Sequence, residues 1–194
     1  MRLTRPLVLA SASPRRRELL ERFGLAFAVI PAEVNEEVRA EESALELVRR
    51  LSEEKARVVH RQAPLSLVVA GDTVVVLDNE ILGKPATPDE GAAMLKRLSG
   101  RTHRVLTGYH LLDGPSGTTV ARTIETAVKF RELPAAWIAW YSAQPEAHAK
   151  AGGYAIQGAG SAMVTRIEGS YPNVVGFPVE FVIWDLLERG WVTL

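Results

Sequence analysis

The sequence predicts an α/β fold, a mixed β-sheet with flanking helices, and three observations carry that expectation. Short unbroken apolar runs such as "PLVLA" and "LSLVVA" have the length and composition of buried strands. Between them lie segments with apolar residues three to five apart, such as Leu45, Val48, Leu51 and Ala56, which is helical spacing. Hairpin signals at Asp78-Asn79 and "DGPSG" add antiparallel pairs, so the sheet is expected to be mixed instead of wholly parallel.

In chain order, "PLVLA" is a strand leading into "SASP", and Pro14 to Phe23 is a helix stopped by Gly24. Ser13 stands where an N-cap belongs, and Pro14 takes the first helical position. "LAFAVIPA" is a second strand, followed by the acidic stretch "EVNEEVRAEES". Ser43 to about Arg61 is a helix whose exposed side is thick with Glu and Arg. "LSLVVAGDTVVVLDNEIL" reads as two apolar runs interrupted by a turn at Gly71-Asp72, then a hairpin at Asp78-Asn79. A helix from Pro88 to Leu98 ends before Gly100. Two long strands, about Thr102 to Leu112 and Thr119 to Phe130, join through "DGPSG". Leu133 to Ser142 is a short helix, "AGGYAIQGAG" a loop and "SAMVTRIEG" a strand. Phe177 to Arg189 is the last helix, stopped by Gly190.

The chain has 194 residues, 47% of them apolar, which is enough for one domain over 1–194 with a real core. Its 23 basic and 23 acidic residues cancel, so no basic excess points to a nucleic acid polymer or a membrane surface. A phosphate ligand would need a local cluster of cations, which favours a small molecule. With no cysteine, there is no disulfide framework, thiolate metal site or cysteine nucleophile. The apolar runs fall far short of a bilayer span and the amino terminus shows no signal-peptide pattern, so the expected location is the cytoplasm.

The first helix poses a chemical question. It opens on Arg15, Arg16 and Arg17, where the helix dipole disfavours positive charge. Either a bound anion neutralises them, or ordinary surface pairs do, since Glu21 lies four residues from Arg17 and Glu18 four from Arg22. Asp72 and Thr73 follow "LVVAG", where a turn at the sheet edge would present a carboxylate to a ligand or merely bond a turn amide. Lys84 sits between a glycine and a proline without Walker A spacing. Lys55 is on what reads as a charged helix face, and Glu36 is in the acidic stretch; solvation is the ordinary fate of each. Gln157 stands before a glycine in the Gly-rich loop, and its amide has both the donor and the acceptor needed to read a base edge. The four histidines lack metal spacing, whereas a hard cation on carboxylates stays open. Taken together, these residue types suit a polyphosphate nucleotide site.

With "LASASPRRRELL", "EVNEE", "EEKA", "GDTVV", "LGKP", "LSGRTHRVLTG", "AGGYAIQGAG" and "GSYPNVVGFP" in this order, the chain resembles the Maf family of nucleoside triphosphate pyrophosphatases along nearly its whole length. The resemblance implies an elongated mixed-sheet fold with two lobes around a deep cleft, related to the inosine triphosphate pyrophosphatases. It also implies a homodimer that cleaves a nucleoside triphosphate to the monophosphate and pyrophosphate with a divalent metal cation, Mg²⁺ or Mn²⁺. By motif, Asp72 would be the proton acceptor, a metal ligand, or both, and Glu36 would help hold the metal. Ser11, Arg15, Lys55 and Lys84 would surround the triphosphate. Arg15, Thr73 and Gln157 match the branch acting on dTTP and UTP, and differ from the Trp, Gln and Glu of the 7-methyl-GTP branch. Gly71 departs from the alanine of many relatives. Two rivals are weaker. A nucleotide-binding regulator needs no water-activating base, and a structural module leaves the charged turns unexplained.

Overall fold

The computed structural model describes residues 1–148 and 150–194. Its strands and helices are β1 (Arg2–Leu3), β2 (Leu7–Leu9), α1 (Pro14–Glu21), β3 (Phe27–Val29), α2 (Ala44–Gln62), β4 (Leu67–Leu77), β5 (Glu80–Leu82) and α3 (Pro88–Leu98). They continue with β6 (Thr102–Asp113), β7 (Thr119–Phe130), α4 (Ala135–Ser142), α5 (Pro145–His148), β8 (Val164–Glu168), α6 (Tyr171–Val175), α7 (Val179–Glu188) and β9 (Val192–Thr193). The main sheet has the strand order β3-β2-β4-β6-β7-β8, with β5 paired to β4. It is mixed as expected: β2 is parallel to β3 and β4, while β4–β5 and β7–β8 are antiparallel. No helix among the described residues is long and apolar enough to cross a membrane.

The chain divides into two compact units of interleaved segments. The first comprises Met1–Asp72, Thr107–Ile124 and Gly176–Leu194; the second comprises Thr73–Leu106 and Glu125–Val175. In the first, α2 is fixed by its start and by one face. Ser43 and Glu46 form a reciprocal capping box, which satisfies two backbone N–H groups the helix cannot bond itself. Leu47, Val48, Leu51, Ser52, Lys55, Ala56 and Val59 form its buried stripe. Alternate residues of a strand share a face, so Val68 and Ala70 of β4 present themselves together. Both join Val8, Ala10, Leu112 and α2 residues Ala56 and Val59 in one core cluster. The valine and leucine side chains among them contribute roughly 1.5–3 kcal/mol each when fully buried. The close approach of α2 explains Gly108 on β6, where a Cβ would meet the Val48 carbonyl oxygen at 2.3 Å.

The second unit shows its boundaries plainly in the sequence. Thr87 accepts the Glu90 N–H to cap α3, Pro88 takes the first helical position, and the helix stops at Leu98. Asp78 and Asn79, both with positive φ, turn β4 into β5, as a two-residue hairpin requires. α3 packs on α4 and α5.

Several expectations change. Gly71-Asp72 does not interrupt two runs, because β4 continues through both residues. Gly71 is small for packing and not for turning: a Cβ there would meet the Phe177 ring at 3.2 Å and the Gly108 carbonyl at 3.3 Å. The "charged" face assigned to Lys55 is in fact the buried stripe of α2. Expected Phe177–Arg189 becomes α7 over Val179–Glu188, because Pro178 precedes the first helical residue. The start of "SAMVTRIEG" is a 3-10 turn ending at Met163, and only Val164–Glu168 is strand.

Candidate active site

The site in the first unit begins where β2 ends. The Ala10 N–H donates to the Val69 carbonyl at 2.8 Å, which ties the end of β2 to β4. Ser11 follows, buried, and its Oγ accepts the Ser13 N–H at 3.2 Å. α1 then opens at Pro14 with no acidic residue in its first turn and no capping bond from the Ser13 side chain.

The three arginines have three different fates. Arg17 stays on the surface and donates to Glu21 at 2.7 Å, the ordinary pairing that the sequence offered. Arg16 turns back into the protein. Its Nη1 donates to the Gly71 carbonyl at 2.7 Å and reaches Ser11 Oγ at 3.4 Å, while Nε donates to the Gly176 carbonyl at 3.0 Å. Burial lowers the Arg16 pKa from its ordinary value, and the charges of Asp72 and Glu36 oppose that shift. Arg15 is half-buried; burial lowers its pKa, the like charge of Arg16 adds to the effect, and Glu18 opposes it. The second arginine therefore holds the backbone beside Asp72.

The sequence favours Arg15 for the ligand and groups Arg16 with Arg17 as structural, although a signal separates those two. Arg16 lies three and four residues before Leu19 and Leu20, the buried residues of α1, so it shares their face. Lys55 gave the same kind of signal, four residues from Leu51 and Val59 on the stripe of α2.

Lys55 joins the two acidic candidates. Its Nζ lies 2.6 Å from Asp72 Oδ1 and 2.6 Å from Glu36 Oε1. The Lys55 and Asp72 side chains are only 8% and 12% exposed, whereas that of Glu36 is 54% exposed. A lysine so placed demands a partner, because an unpaired buried charge is strongly unfavourable. The pair continues the apolar packing in register: β4 presents Val68, Ala70 and then Asp72 on one face, and α2 presents Val59, Ala56 and then Lys55. Ser11, Glu36, Lys55 and Asp72 are thus gathered with Arg16 in one unit.

Both carboxylates offer oxygen donors, the ligand type hard divalent cations prefer. Among the described residues no group of three or more His, Cys, Asp or Glu side chains is placed to hold a metal. A Mg²⁺-type ion commonly takes one or two protein carboxylates and fills its remaining positions with water and substrate phosphate, so the donor set fits.

Thr73, Lys84 and Gln157 belong to the second unit. Thr73 is half-buried on β4 directly after Asp72, and Lys84 is exposed in the turn between β5 and α3. That turn is tied to the glycine-rich segment by the Gly152 N–H, which donates to the Gly83 carbonyl at 3.0 Å. Gln157 is exposed further along the same segment.

Comparison with known proteins agrees with this arrangement of motifs. The family model described as "Maf-like protein" matches residues 6–189. A protein of Thermococcus onnurineus described as "dTTP/UTP pyrophosphatase" is 49% identical over 187 residues, covering 95% of this chain and 97% of its own. Proteins with the same description from Myxococcus xanthus and Syntrophus aciditrophicus are 48% and 46% identical, covering 97% and 98% of this chain and 94% and 93% of their own. A solved structure titled "Structure of a HAM1 protein from Coxiella burnetii" aligns over 95% of this chain and 100% of that one, with a TM-score of 0.55 at 18% identity, and shares its fold. With the family model spanning almost all of its length, the chain belongs to the Maf-like proteins.

Proposed function

We infer that this protein is a nucleoside triphosphate pyrophosphatase that hydrolyses dTTP and UTP to the monophosphate and pyrophosphate. The observation that carries the reading is the buried Lys55 held between Asp72 and Glu36, beside a half-buried Arg16. A buried carboxylate fixed by one oxygen, with cations around it, suits water activation next to a polyphosphate. The relatives described as dTTP/UTP pyrophosphatases support the substrate assignment.

In this reading Asp72 accepts the proton of the water that attacks the α-phosphorus. Lys55 fixes the Asp72 carboxylate and, with Ser11 and Arg15, binds non-bridging phosphate oxygens. Glu36 and Asp72 would hold a divalent cation, Mg²⁺ or Mn²⁺, which when bound neutralises phosphate charge. Lys84 contributes a further cation to the triphosphate, and Thr73 and Gln157 select the base. The unusual charge at the start of α1 then has a use, since the substrate supplies the anion absent from its first turn. Residues 1–194 work as one Maf-like domain that pairs with a second copy as a cytoplasmic homodimer.

The test is product analysis with dTTP and Mg²⁺. dTMP and pyrophosphate are the expected products, and dTDP with orthophosphate as the main products refutes the assignment of the broken bond.

A further inference from the structure

Gln157 stands exposed on a loop whose two ends converge on one pair of side chains. On the amino-terminal side, the Ala155 N–H donates to the Tyr141 hydroxyl at 3.0 Å. On the carboxyl-terminal side, the Gly160 N–H donates to Glu146 Oε1 at 3.1 Å. Phenol and carboxylate thus form the two posts of one bracket, one at each end of the loop. Tyr141 is fully buried, and burial raises its pKa well above the ordinary value, with the negative charge of Glu146 adding to the shift.

The glycines of "QGAG" answer to this bracket. A Cβ at Gly158 would meet Glu146 Oε2 at 1.8 Å. One at Gly160 would meet the Ala155 carbonyl at 2.5 Å and the Tyr141 hydroxyl at 2.7 Å. These glycines make room for the clamp. Just before the loop, the Tyr154 hydroxyl shares a 2.8 Å hydrogen bond with His103 Nε2.

A glutamine amide is ambiguous as a reader. It carries a donor and an acceptor, and rotation about its last bond exchanges them. Thymine and uracil present a carbonyl beside an imide N–H, whereas cytosine presents an amine beside a bare ring nitrogen. A loosely held amide satisfies either. Discrimination therefore needs the backbone beneath the amide held in place before the base arrives.

We propose that Tyr141 and Glu146 are positioning residues that set base selectivity by holding the Gln157 loop. The proposal rests on the reading of Gln157 as the base-reading residue. They act through that loop and not on the scissile bond.

The experiment measures kcat and KM for UTP, dTTP and CTP in the wild type, Tyr141→Phe, Glu146→Ala, Glu146→Gln and Gln157→Ala. In Tyr141→Phe and Glu146→Ala the preference for UTP over CTP should fall about tenfold, mainly through a higher KM for UTP, with kcat for UTP within about twofold of wild type. Glu146→Gln keeps an acceptor for the Gly160 N–H and should restore most of the preference. Amide hydrogen exchange at Ala155 and Gly160 should quicken in Tyr141→Phe, a readout independent of turnover and available in a single variant. A loss of global stability with the UTP preference and the exchange unchanged overturns the proposal. If Gln157→Ala abolishes the preference while Tyr141→Phe and Glu146→Ala retain it, the clamp is refuted and the base reading stands. If Gln157→Ala itself leaves the preference intact, the base reading fails and the proposal falls with it.

Discussion

Replacing Lys55 by methionine isolates the interaction on which the site depends. Methionine preserves the unbranched stem and removes only the ammonium, which lies 2.6 Å from each of two carboxylates. The two partners respond differently. Glu36, with its side chain 54% exposed, rehydrates at little cost. Asp72, with its side chain 12% exposed, is left as a buried carboxylate without its ammonium. Removing one partner of a buried pair costs about 3–5 kcal/mol, and the residual exposure of Asp72 places the expected loss near the lower end, at about 3 kcal/mol. The assay is urea unfolding followed by tryptophan fluorescence, on Lys55→Met, Asp72→Asn and the double variant. Once Asp72→Asn removes the stranded charge, the double variant should regain about 2 kcal/mol of the loss. A loss below about 1 kcal/mol in Lys55→Met, or strict additivity in the double variant, would refute the view that these charges depend on one another.

Two further predictions concern chemistry and pH. Asp72→Asn should remain folded, because Lys55 keeps Glu36 as a partner, but its kcat with dTTP should drop by about 10²–10⁴-fold; near-normal turnover rules Asp72 out as the base. His103 is buried against Phe130 and Tyr154, and burial lowers its pKa from 6.5 to about 4. The unfolded chain therefore takes up a proton below its ordinary pKa that the folded chain refuses until about 4, so this stability is present at neutral pH and drains away as pH falls. Between about pH 7 and about pH 5 the wild type should lose about 2 kcal/mol more than His103→Gln; equal slopes in urea titrations at the two pH values contradict the assignment.

Local signals carried most of the fold. Thr87, Pro88 and the glycine at 100 bracket α3 because capping, a preset φ and a permissive stop act over a few residues. Asp78-Asn79 worked for the same reason, since the hairpin needs positive φ at both positions. The turn expected at Gly71-Asp72 failed because the setting of that glycine is tertiary: Phe177 and the Gly108 carbonyl crowd the place a Cβ would take, at 3.2 and 3.3 Å. α6 went unread because Tyr171–Val175 is too short to show a period. At the site, Asp72, Glu36 and Lys55 announced themselves within motifs, but the burial that makes the lysine a shared partner of both carboxylates shows only once Lys55 is placed on the apolar stripe of α2. Arg16 was hidden by its neighbours. Three consecutive arginines look equivalent in a string, and only the rotation of α1 separates the one facing Gly71 and Gly176 from the one facing solvent.

Because Asp72 occupies a position inside a continuous strand, its place is set by the extended backbone of β4 and not by a pliable bend. The residue we propose to choose the base rides instead on a surface turn of glycine, alanine and glutamine. Under the roles proposed above, a change at position 157 alone can alter the base accepted while the strand that carries Asp72 stays as it is, since Gly158 and Gly160 leave no room for other side chains.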